Sequence, residues 1–98
     1  MIYAVFFEDD SDQAHRRDEF MAAHLSFLES NAGAIQAAGP LHNALDAAPA
    51  GGLWLVQADE AAAVRALVEA DPFWPTGLRK SVRILEWTQV FADGKRRP

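Results

Sequence analysis

The chain begins with a run that is apolar on both of its alternating position sets. Ile2, Ala4 and Phe6 make one set, and Tyr3, Val5 and Phe7 make the other. A strand of that kind is covered on both faces. Glu8 to Asp12 is polar and acidic, and Ser11 or Asp12 is placed to cap the helix that follows. That helix runs from about Gln13 to about Asn31, with Gly33 as its stop signal. Positions seven apart nearly eclipse on a helix. Arg17 and His24 are seven apart, and Phe20, Phe27 and Leu28 fall on the same side. Most of this face is core, yet it carries an imidazole and a guanidinium. Such a conflict between burial and polarity is expected at functional sites.

Ala34 to Ala38 reads as a second strand, ended by Gly39-Pro40. Leu41 to Ala50 is loop-like, with Asn43, Asp46 and Pro49, and is long enough to form a rim or lid. Gly51-Gly52 opens a third strand, Leu53 to Ala58. Asp59 is the expected cap of a second helix, AAAVRALVEA, whose apolar stripe is Val64, Leu67 and Val68. Asp71 precedes Pro72, which pushes it out of the helical region and ends the helix. Phe73-Trp74-Pro75 is an aromatic turn. The last strand spans about Val82 to Phe91, with Val82 and Ile84 on one face and Arg83, Leu85, Trp87 and Phe91 on the other.

The order strand, helix, strand, strand, helix, strand is the split-βαβ, ferredoxin-like arrangement of the α+β class. Right-handed crossovers then give a four-stranded antiparallel sheet with two helices on one face. The other face is bare, with Tyr3 or its neighbours, Trp54 and Trp87 available to line it. A bare apolar face is sticky in a monomer. The patterning therefore predicts a homodimer joined through its sheet faces, in which the chain's main partner is itself.

Composition narrows the classes. At 98 residues, half of them hydrophobic, the chain is one domain, expected over residues 1–92 with a basic tail over 93–98 around Lys95, Arg96 and Arg97. Fourteen acidic residues against nine basic ones give a net charge of −5, which opposes a nucleic-acid role. There is no cysteine, so disulfides, thiol catalysis and cysteine-held metals are excluded, and the absence fits a cytoplasmic protein. The first apolar run is too short for a membrane span and has no basic region before it. The acidic run lacks the glycine and spacing of a calcium loop. His15, His24 and His42 lack metal-ligand spacing, so no metal is expected.

Imidazole titrates near neutral pH, which makes His24 the first candidate for acid–base chemistry. Such a histidine needs an orienting carboxylate, and Asp71 ends a helix that runs beside the first in this fold. Arg17 is placed to bind a substrate carboxylate or to hold Asp71. His42 sits in the loop after Gly39-Pro40, within reach of a pocket rim, with a solvated surface histidine as its bland alternative. Phe73 and Trp74 offer an apolar wall. The bland alternatives are a hydrogen-bonded core histidine, an Asp-Pro helix stop and a surface arginine lying along its stem. Ser26, Ser30 and Ser81 sit in no nucleophile elbow, and there is no phosphate-cradling glycine loop.

These residues carry a resemblance. The apolar first strand, Arg17 seven before His24, the His24-Leu25 pair, Gly39-Pro40, and the Asp71-Pro72-Phe73 turn followed by Gly77 resemble the YciI-like family of the dimeric α+β barrel superfamily. The resemblance spans roughly Met1 to Phe91. It implies a ferredoxin-like dimer and an active site on a histidine and an aspartate, here His24 and Asp71. Some members carry a second arginine three residues before the histidine, where this chain has Met21. At least one related enzyme removes chloride from a chlorinated aromatic ring. The expectation is a cofactor-independent enzyme acting on a small, aromatic or unsaturated molecule through His24 and Asp71, as a lyase, isomerase or dehalogenase. The rivals are a non-catalytic domain that binds a small molecule or regulates a partner, and a purely structural dimer without a pocket.

Overall fold

A computed structural model describes all residues, 1–98. The two apolar sets of the first strand become its two faces. Strand β1, Ile2–Asp9, is central, and Tyr3, Val5 and Phe7 are buried while Ile2, Ala4 and Phe6 are half-buried. It is followed by helix α1 (His15–Ser30), strands β2 (Ile35–His42) and β3 (Pro49–Gln57), helix α2 (Ala61–Ala70) and strand β4 (Arg79–Glu86). The sheet order is β2-β3-β1-β4, with every neighbouring pair antiparallel. This is the expected ferredoxin-like α+β fold. The core lies between sheet and helices, where Trp54 and Val56 of β3 join the buried set of β1, Ile35, and Val64 and Val68 of α2. Val82 and Ile84 of β4 pack against it, as expected.

Several element ends differ from the pattern reading. Neither Ser11 nor Asp12 caps α1. Asp10 instead takes the Asp12 amide N–H at 2.9 Å and closes a short 3₁₀ turn, Ser11–Gln13, so α1 starts later, after an uncapped Ala14. Its last turn is tied by Asn31, whose Nδ2 donates to the Phe27 carbonyl at 2.8 Å, and Gly33 plays no left-handed stop role. Glu60, not Asp59, precedes α2, and it makes no side-chain cap.

The stretch expected as a long loop is mostly strand. β2 continues to His42 and β3 begins at Pro49, leaving only Asn43–Ala48 as a turn. Asn43 and Asp46 each accept a backbone N–H two residues on, at 2.9 Å. Pro40 does not break β2 because β2 is an edge strand with a register shift there, where a missing N–H is tolerated.

β4 begins at Arg79 and ends at Glu86, short of Phe91. The expected basic tail is exposed but not free. Residues β5 (Phe91–Ala92) and β6 (Lys95–Arg96) pair across Asp93-Gly94, both at positive φ, the geometry that a two-residue Asp-Gly hairpin requires.

The face away from the helices also needs correction. Trp54 and Tyr3 point into the core, and Ala4, Phe6, Leu53, Leu55, Leu85 and Trp87 line an open apolar hollow of about 350 Å³. Leu85 and Trp87 are 43% and 45% exposed.

Candidate active site

The middle of α1 and the end of α2 meet over the sheet. Pro72 holds Asp71 in extended backbone, φ −63 and ψ 132, which turns its side chain back across the helix end. Its Oδ1 accepts the Phe73 N–H at 3.2 Å and sits 2.8 Å from His24 Nδ1. His24 and Asp71 are 6% and 2% exposed as whole residues. The Phe73 ring stacks on the imidazole at 4.2 Å and 22°. A carboxylate accepting both bonds makes Nδ1 the donor and leaves the Nε2 lone pair free. Nε2 has no hydrogen bond, and it is not a buried orphan, since Arg79 Nε is the one sealed, unpaired side-chain polar atom. Nε2 is therefore the nitrogen open to solvent.

A second cluster adjoins the first. Asp9 continues the covered set Tyr3, Val5 and Phe7 at the end of β1, and an extra residue in β4, Lys80, brings Arg79 opposite it. Asp9 Oδ2 accepts from Arg17 Nη2, and Oδ1 accepts from Arg79 Nη1 at 2.9 Å. The Arg79 side chain is 3% exposed. Its guanidinium lies 4.1 Å from the Phe7 ring centre and 5.2 Å from that of Phe73, while Arg17 lies 5.5 Å from Phe73. Burial pushes the Arg79 guanidinium below its ordinary pKa, and the bond to Asp9 opposes that shift.

Both clusters open on one cleft of about 100 Å³, walled by Arg17, Met21, His24, Leu25, Trp54 and Arg79, with Gly39-Pro40 at its rim. A larger hollow of about 500 Å³, between the acidic run and Pro49–Gly51, shares Arg17 with it. No group of three or more His, Asp or Glu residues is placed to hold a metal ion. No helix is long and apolar enough to cross a membrane.

The structure brings His24, Asp71, Phe73 and Arg17 together and leaves two expected residues out. Arg17 pairs with Asp9 rather than Asp71. Phe73 is fully buried behind the imidazole and is no cleft wall. Trp74 faces Arg65 of α2, 4.9 Å from its guanidinium carbon, and His42 is exposed at the far end of β2 opposite Pro49. Asp9 and Arg79 escaped the sequence reading. The available signal was an acid placed directly after a buried strand and an arginine heading the strand paired with it.

The YCII-related domain matches residues 1–88. The chain belongs to this family. Among solved structures, this YCII-related chain is similar to 5-chloro-2-hydroxyhydroquinone dehydrochlorinase (TftG) from Burkholderia phenoliruptrix AC1100, determined in complex with 2,5-dihydroxybenzoquinone. The two share 28% identity and superpose with a TM-score of 0.77, over 90% of this chain and 94% of that one. No curated protein matches the sequence.

Proposed function

We propose that this YCII-related chain is an enzyme acting on a small hydroxylated aromatic molecule, with His24 Nε2 as its acid–base group and Asp71 as the partner that orients it. The observation that carries the reading is the His24 Nδ1–Asp71 Oδ1 contact of 2.8 Å at the wall of a cleft, with Nε2 unbonded. A ring hydroxyl gives its proton to Nε2, and the imidazolium that forms stays paired with Asp71. The ring then accepts a proton at a chlorine-bearing carbon. Loss of a second hydroxyl proton expels chloride and leaves a quinone. The net change is loss of one proton and one chloride, with the ring electrons leaving on chloride, so the step needs no cofactor. The likeness to a dehydrochlorinase supports this choice of chemistry.

A second reading keeps the pair as a structural hydrogen bond in a non-catalytic binding domain. It is favoured by the cleft's volume, about 100 Å³, against the roughly 300–1,000 Å³ common for ligand pockets. Chloride release from 5-chloro-2-hydroxyhydroquinone and related chlorinated hydroquinones separates the two. Enzyme-dependent release supports the first reading, and release at the buffer rate across the set supports the second.

We also infer that two copies pair through the sheet face lined by Phe6, Leu53, Leu55, Leu85 and Trp87. Burying that face removes apolar surface at about 25 cal/mol per Å². Leu55→Asp is expected to sediment as a monomer while the wild type sediments as a dimer. A wild-type monomer at tens of micromolar ends this inference.

A further inference from the structure

The buried arginine carries an inference that deepens the reading above and rests on it. Guanidinium groups this deeply buried are normally paired along most of their N–H groups. Arg79 has five N–H donors and one hydrogen bond, from Nη1 to Asp9. Its Nε is sealed without a partner. Its Nη2 is unbonded yet not sealed, so the little of Arg79 that solvent reaches includes donors with nothing to bind. Arg17 likewise gives only Nη2 to Asp9. One carboxylate thus serves two guanidiniums, and both line the cleft beside His24. Arg79 cannot swing away to find water. Phe7 and Phe73 lie against it, and a Cβ on Gly52 would sit 3.3 Å from its Nη1, so the glycine leaves the room it occupies.

The geometry points to Arg79 and Arg17 as an anion subsite that takes one ionised oxygen on a small ring, with Asp9 as the positioning residue for both. The ligand class is an aromatic or quinonoid molecule carrying a phenolate or enolate oxygen. Such an oxygen lies beside the imidazole that removes its proton. The charge forming on oxygen is met by free guanidinium N–H groups, and the charge forming on the imidazole is met by Asp71. Planar, unpaired guanidinium donors suit an oxyanion better than a point charge would.

Binding of 2,5-dihydroxybenzoquinone, an ionised enol at neutral pH, and of uncharged 1,4-hydroquinone tests the subsite by titration. Arg79→Met is expected to weaken the quinone by about tenfold or more, as loss of charged hydrogen bonds does, and to leave hydroquinone within about twofold. Arg79→Lys recovers part of the loss. Arg17→Met repeats the experiment at a more exposed position, in case Arg79→Met fails to fold. His24→Ala keeps the quinone preference. Absent chloride release with an intact, arginine-dependent preference refutes the proposed reaction and leaves the subsite standing. A wild type that fails to prefer the ionised ring overturns the subsite. So does quinone affinity within twofold of wild type in a folded Arg79→Met or in Arg17→Met, whatever the turnover.

Discussion

His24→Ala is expected to lower kcat for a chlorinated hydroquinone by about a hundred- to ten-thousand-fold, the usual contribution of a positioned acid–base group. The cause is local. Nε2 is the nitrogen of the His24 ring without a bond, and no other histidine lines the cleft. KM should move far less, because the guanidiniums that would hold the ring oxygen remain. Stability should fall as well, by about 1–3 kcal/mol, since Asp71 loses the shorter of its two hydrogen bonds. Urea unfolding beside chloride release separates these effects. Asp71→Asn is the finer probe. An amide oxygen can still accept from Nδ1 and from the Phe73 N–H, so the ring stays placed, but no charge steadies the imidazolium. Its kcat should therefore fall while its fold persists. If His24→Ala turns over like wild type, the pair is a structural bond and the proposed chemistry fails.

The element order was legible because each element kept one clean signal. AAAVRALVEA has a helical stripe, and Asp71-Pro72 closes it within a residue of where the helix ends. Face assignment was harder in β3, where Leu53 and Leu55 alternate with Trp54 and Val56 and both sets are apolar. Period alone cannot say which set faces the helices. The answer came from pairing, since Trp54 opposes Val5 and Val56 opposes Tyr3 on the covered face of β1. The proline-bounded stretch from Pro40 to Pro49 misled for a related reason. Proline signals a break in a central strand, but β2 lies at the sheet edge.

The candidate site divides along the same line. His24 and Asp71 were readable together because an apolar helix face with an imidazole, and a helix ended by Asp-Pro, are both local facts that the fold brings side by side. Asp9 and Arg79 are 70 positions apart, and nothing near either one marks it. Asp9 stood in an acidic run that looked like a solvated loop, and Arg79 stood before the apolar alternation of β4. Only β1–β4 pairing with a bulge at Glu8/Asp9 puts them opposite each other. Trp74 failed as a wall because the 3₁₀ turn Trp74–Thr76 carries it toward α2, while Phe73 turns inward.

Gly51→Ala should destabilise the fold by about 2–6 kcal/mol, summing a backbone strain of about 1–3 kcal/mol and an overpacking cost of similar size. Gly51 has φ +87, a region L-residues avoid. A Cβ there would lie 1.8 Å from the Phe7 carbonyl oxygen and 3.0 Å from its carbon. The obstacle is backbone of the central strand, so no side chain can rotate aside. Relief requires β3 to move off β1 next to the Phe7–Gly52 pairing, and Asp9 with its two arginines lies just beyond. For a domain of this size each kcal/mol shifts Tm by about 4–8 °C, so thermal melting should fall by at least about 8 °C. Gly33→Ala is the internal control. Gly33 has no positive φ and no atom within 4 Å of the added carbon, so that variant should melt within about 3 °C of wild type. Equal melting of both variants would mean that β3 leaves room at position 51 and that the Phe7 carbonyl is no obstacle.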